Sequence, residues 1–427
     1  MSNTEHVDTV VVGAGHAGLA VSRLLTEAGR EHLVLDRGDV AERWRSERWD
    51  SLHLLTPSWM TRLPGWYYCG GDPEGFLSAA QLVTRLEHYA VSFDAPVRTR
   101  TTVLSVVPTG DREYDVRTDG GTIRTRNVVV ATGPHGPNRV PSGLVGVRAD
   151  VVPSSAYKNP DRLAPGGVLV VGASSSGVQI ADELQRSGRD VVLAVGRHTR
   201  VPRRYRGLDL FWWLDSTGRL ARTVDELVDA ERARREPSLQ IVGRPDPRDR
   251  GEDLDLPGLH QRGVRLVGRL QGINGGTASF ADDLDDHLAT ADRGLHRLLG
   301  SFDRYAERQG LGGEVLPATR PGPFEPGRAP HRLRLAAEGI GTVVLAAGHR
   351  PDHSWLPLPI TAADGSIRQY RGVTPAPGIY VVGQRFQHRR DSGFIDGARH
   401  DARDVVTHLL TGSLPGAAVP SSEEPAA

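Results

Sequence analysis

One stretch near the N-terminus constrains this chain most. Val10-Val11-Val12 is an apolar β-branched run that ends in Gly13-Ala14-Gly15-His16-Ala17-Gly18. Leu19, Val21, Leu24 and Leu25 follow at helical spacing, and the pattern stops at Gly29. A second apolar run, Leu33-Val34-Leu35, ends on Asp36. This reads as strand, tight turn, helix, strand. Each glycine has a task in a dinucleotide-binding turn. Gly13 permits the sharp turn, Gly15 lets the backbone approach a pyrophosphate, and Gly18 lets helix and strand pack closely. The helix N-terminus offers N–H groups to phosphate. Asp36, 23 residues after Gly13, is placed to accept hydrogen bonds from a ribose diol. His16 is expected to face solvent or to cap the helix.

The unit occurs twice. Shifted by 159 residues, Gly13 falls on Gly172, Gly18 on Gly177 and Gly29 on Gly188. The second copy runs Val168 to Val171, then Gly172-Ala173-Ser174-Ser175-Ser176-Gly177, a helical stretch, and Val191 to Val195. Asp36 falls on Val195, and Arg197 lies just beyond, followed by Arg200, Arg203 and Arg204. A carboxylate there would repel a 2′-phosphate, whereas a guanidinium grips one bidentately. Copy two is therefore expected to prefer the phosphorylated nicotinamide cofactor. Ser174 stands where copy one has Gly15, and its hydroxyl can donate to phosphate.

Bulk properties exclude other classes. The 427 residues suit two to three domains. Lys+Arg and Asp+Glu balance at 52 each, so no basic field points to nucleic acid. No apolar run approaches the roughly 20 residues of a membrane span. The first six residues lack the regions of a signal peptide. Cys69 is the single cysteine, which excludes an intramolecular disulfide or a two-cysteine redox pair and suits a cytoplasmic location. The 16 histidines show no metal-ligand spacing, and no G-x-S-x-G elbow appears.

Between and after the two units, the chain reads as follows. Trp44, Trp49 and Trp59 crowd sixteen positions and suit either core or the wall of a flat heterocycle. Ser78 to Ala90 is an amphipathic helix capped by Ser78. Three short strands, beginning at Val103, Tyr114 and Thr122, lead to a buried strand ending Ala131-Thr132-Gly133. Thr223 to Arg235 and Asp282 to Gln309 read as helices, and residues 412–427 as a disordered tail.

The glycine unit, Asp36, the tryptophan-bearing loop and Ala131-Thr132-Gly133 with Pro141 resemble the class B flavoprotein monooxygenases, which comprise the flavin-containing, Baeyer–Villiger and YUCCA-type enzymes. The resemblance implies an α/β fold of two dinucleotide-binding domains: an FAD Rossmann domain with a β-meander insert, and an NADP Rossmann domain. Its expected boundaries are 1–150 for the first part of the FAD domain, 151–325 for the NADPH domain with a helical insert, and 326–411 for the return part, which would take in the strand Thr342 to Leu345. The resemblance implies FAD contacts at Gly13, Gly15, Gly18, Asp36, Arg43, Trp44, Trp49, Val103, Ala131, Thr132, Gly133, Gly383 and Gln384. NADPH contacts are expected at Gly172, Ser174, Ser175, Ser176, Gly177 and Arg197. In related flavoproteins the loop after the last core strand meets the flavin ring, so Gln384 and His388, with His53, are candidate catalytic residues.

The reaction implied is insertion of one atom of O2 into a small organic substrate through a C4a-(hydro)peroxyflavin, by N- or S-oxygenation or Baeyer–Villiger chemistry. No nucleic-acid or membrane partner is implied, and there is room for an oligomer. Two departures stand out. Ser154, Ser155 and Tyr157 match the linker of bacterial relatives, but Pro153 stands in place of the expected histidine. Leu54 and Leu55 occupy the loop where the flavin-containing enzymes keep an asparagine. Two other classes stay open: an NAD(P)H-dependent flavin reductase, dehydrogenase or peroxide-producing oxidase, and a non-catalytic flavoprotein sensor or subunit.

Overall fold

The β-branched runs form strands buried on both faces, as parallel sheets require. The computed structural model describes residues 4–110, 112–134, 136–236, 239–240 and 254–415. The first half supplies β1 (Thr9–Val12), α1 (His16–Glu27), β2 (His32–Leu35), α2 (Ala79–Val91) and β3 (Val97–Arg98). An antiparallel meander follows, β4 (Val103–Pro108), β5 (Tyr114–Thr118) and β6 (Gly121–Thr125), and then β7 (Asn127–Val130). Ser78 caps α2, as its sequence predicts, and the structure adds a reciprocal box with Gln81.

The second half supplies β8 (Asp150–Pro153), β9 (Gly167–Val171), α3 (Ser175–Arg186) and β10 (Val191–Ala194). Next come α4 (Leu210–Ser216), β11 (Arg265–Val267), the hairpin β12 (Leu270–Asn274) and β13 (Thr277–Phe280), and the long α5 (Leu284–Arg308). The chain ends with β14 (Arg332–Arg334), β15 (Ile340–Leu345), β16 (Ile379–Val381) and α6 (Ile395–Thr411).

Two five-stranded sheets result, ordered β16-β7-β1-β2-β3 and β8-β15-β9-β10-β11. Every pairing within them is parallel. The internal repeat is therefore wider than the glycine units: β15 flanks β9 as β7 flanks β1, and each domain carries its own meander, β4–β6 or β12–β14. Alternate side chains serve opposite faces. Val11 joins the core under α1, α2 and α6, whereas Val10 and Val12 join the core beneath the meander. Val168 and Val170 against Leu169 and Val171 repeat this in the second sheet.

Three expectations need correction. The strand Ile340–Leu345 belongs to the second sheet, between β8 and β9, and not to a return part beginning at 326. The chain crosses back only between Leu345 and Leu356, where Leu356, Ile360 and Ile367 pack beneath the first sheet. The outward crossing also precedes 150, because Leu144–Val145 pairs with β12. A buried strand ending in glycine reads the same in either domain, and its neighbour is not a local property. The helix expected over 223–235 is broken into a 3-10 turn at Val224–Glu226 and a short helix at Ala230–Arg234. Asp229 caps the second piece and so starts it afresh. Of the expected tail, residues 416–427 lie outside the described residues.

α6 holds a buried carboxyl. Asp401 accepts from Ser392 Oγ at 3.1 Å, and burial raises its pKa to about 8, with Asp391 and Asp404 adding repulsion and Arg389 opposing it. The unfolded chain releases that proton near pH 4, close to the ordinary value. Between about 4 and about 8 the folded state therefore binds the extra proton, so stability falls as pH rises through this window. Asp401→Asn is expected to flatten this slope, measured by denaturant unfolding at pH 5 and pH 8. Gly18→Ala and Gly177→Ala would each drive a Cβ into the carbonyl of Gly13 or Gly172. Each is expected to cost about 3 kcal/mol or more in the same measurement.

Candidate functional site

The two glycine turns have the same geometry. Gly13 has φ +114°, and a Cβ there would lie 2.6 Å from the carbonyl oxygen of Ala131. Gly172 has φ +108°, and its Cβ would lie 2.5 Å from that of Ala346. In each domain the strand ending in the A-x-G pattern thus presses on the turn. Gly18 and Gly177 close the other side, with no room for a side chain against the preceding glycine carbonyl. Gly15 differs: a Cβ built on it meets nothing within 4 Å. Its backbone faces open space at the start of α1, and no side chain caps α1 there. Ser174 begins α3 in the same way, also without a side-chain cap. Ser175, Ser176 and Gly177 form the first turn of α3. Both N-termini fit a pyrophosphate.

Charge separates the two sites. At the end of β2, Asp36 accepts Ala14 N–H at 2.7 Å and Gly38 N–H at 3.0 Å, one on each carboxylate oxygen. A lone pair on each oxygen remains for a diol. Thr101 N–H donates to the Asp36 carbonyl at 2.8 Å and Arg100 N–H to that of Gly38 at 2.9 Å, which lays the start of β4, with half-buried Val103, alongside. At the end of β10, Val195 is fully buried, and exposed Arg197 makes no ion pair among the described residues. Arg200 and Arg203 do not stand beside it as free cations. Arg200 is paired with Asp255 and Asp292, and Arg203 with Asp209.

Other first-domain candidates converge partly. Arg43 Nη1 donates to the Thr132 carbonyl at 3.3 Å, while its Nη2 pairs with Glu47 at 2.7 Å. Gly133 (φ +76°) follows directly, with open space at its Cβ position. Trp44 is half-buried between the two domain cores, with the Arg48 guanidinium 5.1 Å from its ring. Gly383 (φ +74°) brings the last loop against Ala17 on α1, and Gln384 Nε2 is buried there without a partner. Trp49 is a correction. It is 5 % exposed in the core of the second domain, which leaves little surface to line a cofactor. His16 is another. Its Nε2 is buried and unpartnered, and burial lowers its pKa to about 4.

Among the described residues no hydrogen bond or ion pair joins His53, Gln384 and His388 to one another. His53 Nδ1 lies 2.9 Å from the Ser51 carbonyl, in a loop that meets α3 through Ser51 and Glu183. His388 lies between two carboxylates, Asp225 at 3.5 Å and Asp404 at 3.4 Å. These contacts link the last loop to the insert and to α6. Leu54 is buried in the first core and Leu55 half-buried, so no amide side chain stands at these positions.

Sequence reasoning named the linker residues Ser154, Ser155 and Tyr157 and missed Asn138 and Lys158, which join the domains with them. Asn138 Nδ2 donates to Ser154 Oγ at 2.8 Å, and Ser155 Oγ donates to Asn138 Oδ1 at 2.6 Å. The Tyr157 hydroxyl donates to Glu183 on α3 at 2.7 Å. Lys158 Nζ donates to the carbonyls of Ser46 and Arg48, at 2.6 and 2.8 Å. The linker serines carried a signal, but their partner Asn138 carried none. Among the described residues no group of three metal-ligating side chains converges, and no helix is long and apolar enough to cross a membrane.

Comparison with known proteins agrees with this geometry. Residues 10–206 match the family model for pyridine nucleotide-disulphide oxidoreductases. A CzcO-like oxidoreductase of Geobacillus kaustophilus is 30% identical over 416 residues, covering 95% of this chain and 98% of its own. The indole-3-pyruvate monooxygenase YUCCA1 of Oryza sativa is 33% identical over 208 residues, 47% of this chain and 51% of that protein. The solved flavin-containing monooxygenase of Stenotrophomonas maltophilia superposes with a TM-score of 0.66 at 19% identity, covering 95% of this chain and 99% of that one. The paired dinucleotide cradles and the full-length similarity show that the chain belongs with the CzcO-like oxidoreductases and has the two-domain fold of the flavin-containing monooxygenases.

Proposed function

We propose that this chain is an FAD- and NADPH-dependent monooxygenase that places one oxygen atom of O2 on a small organic substrate. The observation that carries the reading is the pair of matching cradles with opposite charge at their ribose positions, Asp36 in one and Arg197 in the other. Asp36, Gly13, Gly15 and Gly18, with Arg43, Val103, Thr132 and Gly133, would hold FAD. Ser174, Ser175, Ser176 and Gly177, with Arg197, would hold NADPH. When bound, the flavin supplies the redox and oxygen chemistry and the nicotinamide the hydride. The chain supplies phosphate-binding N–H groups, a ribose acceptor, a cation for the 2′-phosphate and the walls that exclude water. Gln384, whose amide nitrogen lacks a partner in the loop beside α1, is the nearest candidate to orient the ring. The single cysteine opposes disulfide chemistry.

One observation favours a second reading, an NAD(P)H-dependent reductase or oxidase: leucines fill the loop where the family keeps its asparagine. The two readings part on the fate of oxygen. With 18O2, NADPH and a screened set of amines, thioethers and ketones, the monooxygenase reading expects label in an organic product. Stoichiometric H2O2 with no labelled product across the screen would favour the oxidase. Arg197→Ala is expected to raise KM for NADPH by about tenfold or more, the worth of a charge-assisted hydrogen bond. KM for NADH should stay within about twofold. Gly15→Ala, which meets no protein atom, is expected to leave unfolding stability within about 0.5 kcal/mol. It should weaken FAD retention, read as free flavin fluorescence after gel filtration.

A further inference from the structure

The loop that carries Leu54 and Leu55 is gripped from the other domain. Arg203 follows β10 and is 7 % exposed. Its Nη1 donates to the Leu55 carbonyl at 2.5 Å, and its Nη2 is paired with the Asp209 carboxylate. The guanidinium carbon lies 4.1 Å from the centroid of the Phe76 ring and 5.6 Å from that of Phe211. Leu55 and Phe76 belong to the first domain, Asp209 and Phe211 to the second. Asp209 is itself fixed, because its Oδ1 accepts Phe211 N–H at 2.8 Å as the cap of α4.

A buried guanidinium is costly unless each side of its fork is satisfied. Here one side takes a carboxylate, the other a carbonyl across the domain boundary, and the faces take aromatic rings. That combination allows little latitude. A lysine has one nitrogen and no planar face, so it cannot meet the carboxylate and the carbonyl while stacking. The Leu55 carbonyl is thus held from the second domain.

We propose that Arg203 is a positioning residue that fixes the Leu55 carbonyl, and with it loop 53–56, at the junction of the two domains. Only the bearing of this loop on the reaction rests on the proposed function; the contact itself does not. The test is hydrogen–deuterium exchange of the full-length protein, wild type against Arg203→Lys, which requires no turnover and is scored independently of the oxygen chemistry. The expected result is exchange about tenfold faster in peptides covering 52–57, with α5 unchanged. A role confined to packing the insert would instead loosen 204–216 and leave 52–57 at the wild-type rate, and that result would overturn the proposal. Should Arg203→Lys not fold, Asp209→Asn keeps the helix cap and weakens only the hold on the guanidinium. It is expected to speed exchange in 52–57 about threefold, and an unchanged rate there overturns the proposal equally.

Discussion

The structure depends on a contact that only glycine permits. In each domain the carbonyl of the first turn glycine meets the backbone of the third, and the carbonyl of a neighbouring alanine presses on the first. Helix and strand thereby approach closely enough to aim the helix N-terminus across the strand ends. In the first domain the middle glycine, Gly15, is the one whose added Cβ would meet open space. Neither α1 nor α3 has a side-chain cap at its N-terminus, so the first N–H groups are left for a ligand anion or solvent. Everything chemical in this protein is arranged around two copies of that packing.

The copies diverge in charge at the end of the second strand of each unit. Asp36 is pinned by two backbone N–H groups, so its orientation is set before any ribose arrives. Its counterpart Val195 is buried, and the exposed Arg197 stands two residues on. Neighbouring arginines do not multiply this effect. Arg200 and Arg203 are held by carboxylates in the body of the second domain, where they build the insert and its junction.

The junction is polar and threaded through distant residues. Asn138 lies after the first A-x-G strand, and Ser154 and Ser155 lie in the linker that enters the second sheet. Lys158 reaches the carbonyls that precede Trp49, which carries that tryptophan into the second core. The departures from the family pattern fall at this junction. Pro153 occupies the histidine position, and Leu54 and Leu55 occupy the asparagine loop, where a buried arginine from the opposite domain now holds the backbone.

Local pattern determined much of this protein. Helix α2 and its Ser78 cap, the meander from Val103 to Thr125, the long helix after Asp282 and both glycine turns were legible because each is written within a few residues. The contrast between Asp36 and Arg197 was legible because a 159-residue repeat sets Asp36 on Val195, two residues before Arg197. Only the tertiary structure decided which sheet received Ile340–Leu345, since any buried strand ending in glycine reads alike and its partners lie far along the chain. It also decided that Trp49 is core, that the Nε2 of His16 is buried, that His388 is absorbed between Asp225 and Asp404, and that Arg203 spans two domains. Those fates depend on which surfaces meet. Residue type fixes what a side chain can do, and packing chooses which of those things it does.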